Sequence, residues 1–424
     1  MQNQDDGTSN SRFHSAILAH WLRVRFWVLF MHILVMTAGW HSALACIQSF
    51  GRRGHRISVP GLGERSPNSR SRYVHNVIPP SHGALSLEDA SDLLIKTTLE
   101  NKIDLVIPVT DEDAEIAALA QAKTSNTDLF PTGTVEAVRI MRSRNRTTEL
   151  CAELGISTPA TVFTHTDTLM SDAEKRGYPF FLKQSGSVAS RGVARIDNEK
   201  VLRTVARDIR PGTEIQMQEV VNGDFVGLTA FCRAGEVVKN FAFQTPYELS
   251  FRGNPPFATA KTVTPQLLDC MRKIAGRLNW SGGIDLDFLQ GGDGKTYLLE
   301  INPRLSGTIV FAQKIGLDFP SAYLNVDDEV FIPGLNRGAD GFICLLTESG
   351  YLRQDFPRWS DYAIKFRSEH MCVESAYPDD PGFSGAMHAE YMNNIRVGCE
   401  NSGRRKRSGV LRSILKPKRR NRPS

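Results

Sequence analysis

The chain has 424 residues, of which 41% are hydrophobic and 23% charged, a globular composition with room for two or three packed units. Its formal charge of +5 is concentrated at the carboxyl end, because residues 403–424 hold ten Lys and Arg and no acid. Without them, 41 basic side chains face 46 acidic ones, so the charge of the body argues against specific nucleic-acid binding.

The seven cysteines are scattered and include no C-x-x-C pair. This spacing argues against a structural zinc site and against a disulfide framework. An odd, unpatterned set fits reduced thiols, so we expect a cytoplasmic protein.

Residues 1–30 form an N-terminal segment that precedes the predicted fold. The apolar run from Phe26 to Met36 is eleven residues long, whereas a helix needs roughly 20 to cross a bilayer. A membrane anchor and a signal peptide without an A-x-A-like cleavage site are open alternatives. We favour an extension or a misassigned start, with the fold beginning at Met31.

Residues 31–130 alternate between strand and helix patterns, with strands at HILVM, RISVPG, YVHNVIPP and DLVIPV. This alternation predicts an α/β lobe with a doubly wound parallel sheet. The first turn, TAGWHSA, lacks G-x-G-x-x-G, which argues against a dinucleotide-binding loop. Thr110, Asp111 and Glu112 follow the last strand, where they fit either a ligand site or a helix cap.

Residues 131–325 form the second predicted unit. Two helices run to Gly155, and the strand PFFLK then ends in Lys183, followed by the small-residue loop SGSVASRG with Ser187 and Arg191. Small residues let backbone N–H groups approach phosphate oxygens. The loop is not a Walker A motif, because its lysine comes first and no GK[ST] follows.

The stretch 281–307, SGGIDLDFLQGGDGKTYLLEINPRLSG, carries the clearest site pattern. Two strands flank the turn GGDG, which predicts a β-hairpin with Asp287 opposite Glu300 and Asn302. Period-two spacing places Asp285 on the face of Asp287. Oxygen donors without His or Cys suit Mg²⁺ or Mn²⁺ completed by substrate phosphates, and Arg304 would add positive charge. A solvated hairpin is the alternative.

The block LLEINPRLSG, with Asp287 thirteen residues before Glu300, resembles the metal-binding end of the ATP-grasp superfamily. The resemblance extends from about Met31 to Asn325. It implies a pre-ATP-grasp lobe followed by a two-lobed ATP-grasp domain, with two Mg²⁺ ions held by Asp287, Glu300 and Asn302 between nucleotide phosphates.

The resemblance also implies roles for residues outside the hairpin. Lys183 would bridge the α- and β-phosphates beneath the flap that contains Ser187 and Arg191, and Arg304 would contact the reacting phosphoryl or acyl phosphate. The basic residue of the linker helices would be Arg146, although Arg142, Arg144 and Arg146 also fit an exposed basic helix face. The adenine-binding residues would be Glu219, Val220 and Val221.

Asp224 would hold the ribose in the same resemblance, but a plain β-turn at Asn222-Gly223 explains its position equally well. The function that follows is an ATP-dependent ligase with small carboxylate and amine substrates and ADP as product. Carbamoyl-phosphate-synthase-like phosphorylation of bicarbonate or carbamate is one alternative, and a non-catalytic nucleotide-binding protein is another. A homodimer is compatible with the family.

The sequence pattern after residue 325 does not indicate a fold. Residues 326–402 form a small C-terminal region that we leave unassigned. We predict that residues 403–424 form a disordered basic tail, because their like charges repel and few apolar side chains are available for burial.

Overall fold

The computed structural model describes residues 30–37, 39, 41–61, 67–79, 85–184, 192–245, 257–326, 341–343, 371–373 and 377–401. The predictions for residues 1–29 and for the basic tail 403–424 lie outside these residues. Within them, no helix is both long enough and apolar enough to cross a membrane.

The first lobe is a four-stranded parallel sheet in the order β3-β2-β1-β4. Its strands are β1 His32–Val35, β2 Arg56–Pro60, β3 Val74–Ile78 and β4 Leu105–Ile107. Its helices are α1 His41–Arg52, α2 Leu87–Asn101 and α3 Asp111–Thr124. Separate apolar cores on the two faces of the sheet confirm the predicted doubly wound lobe.

Two short helices, α4 Val135–Arg142 and α5 Arg144–Glu153, join the first lobe to a small four-stranded sheet. That sheet has the order β5-β8-β6-β7 with antiparallel pairing. Its strands are β5 Thr161–His165, β6 Phe180–Gln184, β7 Val193–Ile196 and β8 Glu214–Glu219. Helices α6 Leu169–Arg176 and α7 Glu199–Ala206 cover one face and share its apolar core.

The third sheet has seven described strands in the order β13-β12-β9-β10-β11-β14-β15. They are β9 Gly223–Arg233, β10 Glu236–Thr245, β11 Phe257–Lys261, β12 Gly282–Gly291, β13 Thr296–Asn302, β14 Gly341–Ile343 and β15 Met371–Val373. Helix α8, Pro265–Leu278, buries Met271 and Ile274 beneath the β12–β13 hairpin in one core with Leu286. The α/β and α+β fold class predicted from the sequence is confirmed.

The other face of this large sheet is covered by helix α9, Ile309–Lys314, and by a 3₁₀ helix, Phe319–Leu324. Helix α1 of the first lobe packs against the same layer, so the first lobe and the large sheet share a core.

The described parts of residues 326–402 belong to units already named rather than to a separate fold. Strand β14 extends the large sheet, and helix α10, Pro381–Asn401, packs on the first lobe. At its amino end the fully buried Asp380 accepts hydrogen bonds from Gln48 Nε2 at 2.6 Å, from the Arg72 amide at 2.9 Å and from the Ser71 hydroxyl.

Candidate nucleotide and metal site

The β12–β13 hairpin sets the register of the predicted metal ligands. Asp287 lies opposite Glu300 and Asp285 opposite Asn302, and the ladder is interrupted by a bulge immediately after Asp287. Strand β12 is also fully paired with β9 on its other side, so Asp285 and Asp287 stand on an inner strand of the sheet, whereas Glu300 and Asn302 stand on the edge strand β13. The predicted hairpin and the Asp287–Glu300 pairing are confirmed.

The carboxylates of this face lie close together and differ in burial, because Asp285 is buried whereas Glu300 is partly exposed. Only 4% of Asp285 is exposed. Burial, together with the charges of Asp285 and Glu300, raises the pKa of Asp287 well above its usual value. Burial also raises the pKa of Asp285, against the opposing effect of Arg304. Such a face is short of positive charge, which a divalent cation would supply.

The donor set fits Mg²⁺ or Mn²⁺ by its chemistry. Asp287, Glu300 and Asn302 offer carboxylate and amide oxygens, and no nearby His or Cys competes. In the described part of the chain, no group of three or more His, Cys, Asp or Glu side chains is arranged to hold a metal by itself. A magnesium ion held by few protein ligands usually completes its shell with water or substrate phosphates.

Lys183 lies near the end of β6 in the small sheet, and it interacts electrostatically with carboxylates on the hairpin of the large sheet. Burial, and then the nearby Arg144, lowers the pKa of Lys183 to about 8, while Glu300 and Asp287 act in the opposite direction. The small sheet and the hairpin therefore face each other here, with a lysine on one side and carboxylates on the other.

The arginine beside this gap is Arg144. Its Nη2 lies 3.7 Å from Glu300 Oε1, and its Nη1 donates to the Gln184 carbonyl at 2.5 Å. Arg146, which the family resemblance favours, instead pairs with the exposed Glu136. Sequence reasoning gave Arg144 no role beyond an exposed basic face, and the structure buries it between the hairpin and β6.

The predicted adenine residues lie where the chain passes between the two sheets. Glu219 ends β8 in the small sheet, and Gly223 begins β9 in the large one, so Val220 and Val221 form the connection. Glu219 is exposed, and its Oε2 accepts from the Ala160 amide at 3.3 Å. Asp224 is exposed on β9, where it accepts from Gln244 at 3.0 Å. Their nucleotide contacts stay predictions.

Ser187 and Arg191 lie outside the described residues, as does the rest of the loop 185–191. Arg304 is described and is mostly buried. Its Nη2 donates to Asn302 Oδ1 at 3.2 Å, so it adjoins the ligand set from the carboxyl side of β13. Gly283 permits this approach, because a Cβ there would lie 2.7 Å from the Leu305 amide nitrogen.

Arg304 also reaches the first lobe. Its Nε lies 3.2 Å from Asp111 Oδ1, and its Nη1 lies 3.7 Å from Asp285 Oδ2. Asp111 begins α3, four residues after β4 ends at Ile107. The sequence allowed these residues to form either a helix cap or part of a ligand site. In the structure Thr110 caps the helix, and Asp111 contacts Arg304 at the candidate site.

Comparison with known proteins agrees with this geometry. Residues 259–331 match a family model described as "ATP-grasp in the biosynthetic pathway with Ter operon". The fold is similar to that of the L-amino acid ligase from Bacillus licheniformis, with a TM-score of 0.56 at 16% identity, covering 70% of this chain and 73% of that one. The chain has the ATP-grasp fold.

A second ATP-grasp structure of similar shape was solved with magnesium and nucleotide. It is the biotin carboxylase domain of the Hydrogenobacter thermophilus 2-oxoglutarate carboxylase, in complex with MgADP, ADP and bicarbonate. Its TM-score is 0.55 at 16% identity, covering 70% of this chain and 69% of that chain. At such identities the likeness establishes the fold.

One curated relative is the carbamoyl phosphate synthase large chain of Archaeoglobus fulgidus, 27% identical over 191 residues. The match covers 42% of this chain but only 18% of that protein. The ATP-grasp assignment therefore concerns the domain, and the activity of the whole chain is argued separately below.

Proposed function

We propose that the chain is an ATP- and Mg²⁺-dependent ligase that activates a small carboxylate as an acyl phosphate for attack by an amine. The observation that carries this proposal is that Arg144 contacts both Glu300 of the hairpin, at 3.7 Å, and the carbonyl of Gln184, at 2.5 Å, next to Lys183 on the small sheet. The electrostatic interaction of Lys183 with Asp287 and Glu300 supports the same arrangement. A triphosphate with bound cations would match this pairing of charges.

The first step transfers the γ-phosphoryl group of ATP to a carboxylate oxygen, breaking the bond to ADP and forming a mixed anhydride. Lys183 and Arg144 would neutralise charge on the nucleotide side, and Arg304 would do so on the acyl phosphate side. Asp287, Glu300 and Asn302 would hold magnesium or manganese, which supplies further charge neutralisation to the phosphates.

The second step is attack of the amine on the acyl carbon. A carbon–nitrogen bond forms, phosphate leaves and one proton is released. Phosphoryl transfer depends mainly on positioning and charge, so the first step needs no general base from the protein. The partners of the protein are thus ATP, a small carboxylate and an amine.

The nucleotide base would lie at the connection between the two sheets. Glu219 and the main chain of Val220 and Val221 would take the adenine edge, and Asp224 the ribose. Of the predicted flap residues we retain Ser187 and Arg191 as phosphate contacts. Arg146 remains a candidate for the same phosphates, with Arg144 better placed in the structure.

A second candidate function is phosphorylation of bicarbonate or carbamate. The similarity to the carbamoyl phosphate synthase large chain favours it. The two candidates differ in substrate alone, because both would use the same nucleotide and metal residues. Bicarbonate-dependent ADP release in the absence of any other carboxylate would identify this second activity.

The testing experiment is a screen of carboxylate and amine pairs for Mg²⁺-dependent release of ADP and phosphate. The expected result is ADP release that needs both substrates and is lost in Lys183→Met. Release of AMP and pyrophosphate would refute the acyl phosphate route. Nucleotide binding without turnover under any substrate pair would favour the non-catalytic alternative.

A further inference from the structure

Arg304 is a single cation between two carboxylates that come from different units. Asp111 of the first lobe contacts its Nε, and Asp285 of the hairpin lies near its Nη1. With Asp287 and Glu300 assigned to metal, Asp111 and Asp285 share one guanidinium.

Both carboxylates also have an acceptor that is not satisfied. Oδ1 of Asp111 and Oδ1 of Asp285 are buried and make no hydrogen bond, and Asp285 as a whole is only 4% exposed. The contact of Asp111 Oδ1 with Arg304 is thus electrostatic. A buried acceptor without a donor is costly, so this arrangement favours a ligand that brings donors.

Asp111 is not needed for the helix on which it stands. The Thr110 hydroxyl accepts from the Asp113 amide at 3.0 Å, and Asp113 Oδ2 accepts from the Thr110 amide at 2.9 Å. This reciprocal pair caps α3. Asp111 follows the carboxyl end of a parallel strand, where ligands of open α/β sheets bind.

We propose that Asp111, with Asp285 on the other side of Arg304, recognises the protonated amino group of the amine substrate, which releases one proton to water before its nitrogen attacks the acyl carbon. An ammonium group has three donors and no acceptor, so it can supply the missing hydrogen bonds. An additional anion at this position would be repelled by both carboxylates. The inference rests on the proposed ligase function and names the residue that selects the nucleophile.

The test compares a charged amine with an uncharged nucleophile. Hydroxylamine is uncharged near neutral pH and traps an acyl phosphate as a hydroxamate, whereas amino acids carry an ammonium group. Each is offered to the wild type, to Asp111→Asn and to Glu112→Gln, with ATP, Mg²⁺ and a panel of carboxylates. Glu112 is the matched control, because it lies in the same helical turn and is exposed.

We expect Asp111→Asn to lower the ratio of amide product to hydroxamate by about ten- to a hundredfold, the effect of losing a hydrogen bond to a charged group. Glu112→Gln should keep the wild-type ratio. An unchanged ratio in Asp111→Asn overturns the inference while the ligase function stands. Equal loss of both products also overturns it, since Asp111 would then act on the first step through Arg304. Absence of hydroxamate in the wild type overturns both proposals.

Discussion

Arg144 Nη2 and Glu300 Oε1 lie 3.7 Å apart, although 156 positions separate the two residues in the chain. The contact joins the linker helix α5 to the hairpin, and the Arg144 bond to the Gln184 carbonyl extends it to the strand of Lys183. Arg144 therefore lies where the two sheets and the linker meet.

This position predicts different effects for two neighbouring arginines. Arg144→Gln should weaken ADP binding by about tenfold or more, because it removes a mostly buried charge beside the proposed phosphates. Arg146→Gln should change it little, since Arg146 pairs with Glu136 at the surface. Calorimetric titration with MgADP measures both. The reverse order of effects would restore Arg146 as the phosphate contact.

Loss of one proposed metal ligand should abolish turnover without unfolding the protein. Glu300→Gln keeps the size of a half-exposed side chain, so we expect a melting temperature close to that of the wild type but no Mg²⁺-dependent ADP release. Asp293→Asn, at the exposed hairpin turn, is the control and should remain active. A large drop in melting temperature for Glu300→Gln would indicate a structural role instead.

The hairpin could be predicted from the sequence because its strand and turn signals lie close together in the chain. A turn of four residues between two alternating strands sets the register as far as Phe288 opposite Leu298. The bulge after Asp287 then shifts the ladder by one residue, so the pairing of Asp287 with Glu300 does not follow from turn spacing alone. The parallel first lobe was equally readable, because its strands and helices alternate. Lys183 could be placed because it ends an apolar strand directly before a small-residue loop.

Residues that reach the site from distant elements were not accessible in this way. The choice between Arg144 and Arg146 depends on how α5 rotates against β13 and β6, which no local pattern specifies. Asp111 was ambiguous because a first-turn acid fits a helix cap as well as a ligand site. Helix α10 was missed although its buried side chains recur every fourth residue, at Phe383, Met387, Tyr391 and Ile395.

The buried carboxylate of Asp380 should matter for stability. Asp380→Asn removes the negative charge and replaces one acceptor oxygen with a donor. The groups that donate to Asp380, namely Gln48, the Ser71 hydroxyl and the Arg72 amide, would then lose an acceptor. We expect a loss of about 2–3 kcal/mol in the free energy of unfolding. Urea denaturation measures it, with Glu400→Gln on the exposed face of the same helix as control. Equal midpoints for the two variants would contradict the proposed docking of α10.

The buried His55 should make stability depend on pH. Burial, and then Arg53, lowers the pKa of His55 to about 4, from an ordinary value of about 6.5. The unfolded chain therefore binds a proton that the folded one does not, and stability falls as the pH decreases from about 6.5 towards 4.

This contribution should reach about 3 kcal/mol at the acid end of the window. It is measured as the change with pH in the stability difference between the wild type and His55→Gln. His165→Gln, at an exposed position of β5, serves as control. A difference that stays constant between pH 6.5 and 4 would show that His55 is protonated in the folded state.

The chain enters and leaves the small sheet at one place. Residues 161–219 start and finish at adjacent positions, where the Glu219 amide donates to the Ala160 carbonyl at 2.8 Å. Everything between them, including Lys183, is thus one insert on a short two-stranded stem. The equivalent insert of another ATP-grasp protein could be transplanted by matching that stem, which would exchange the nucleotide half and leave the carboxylate face in place.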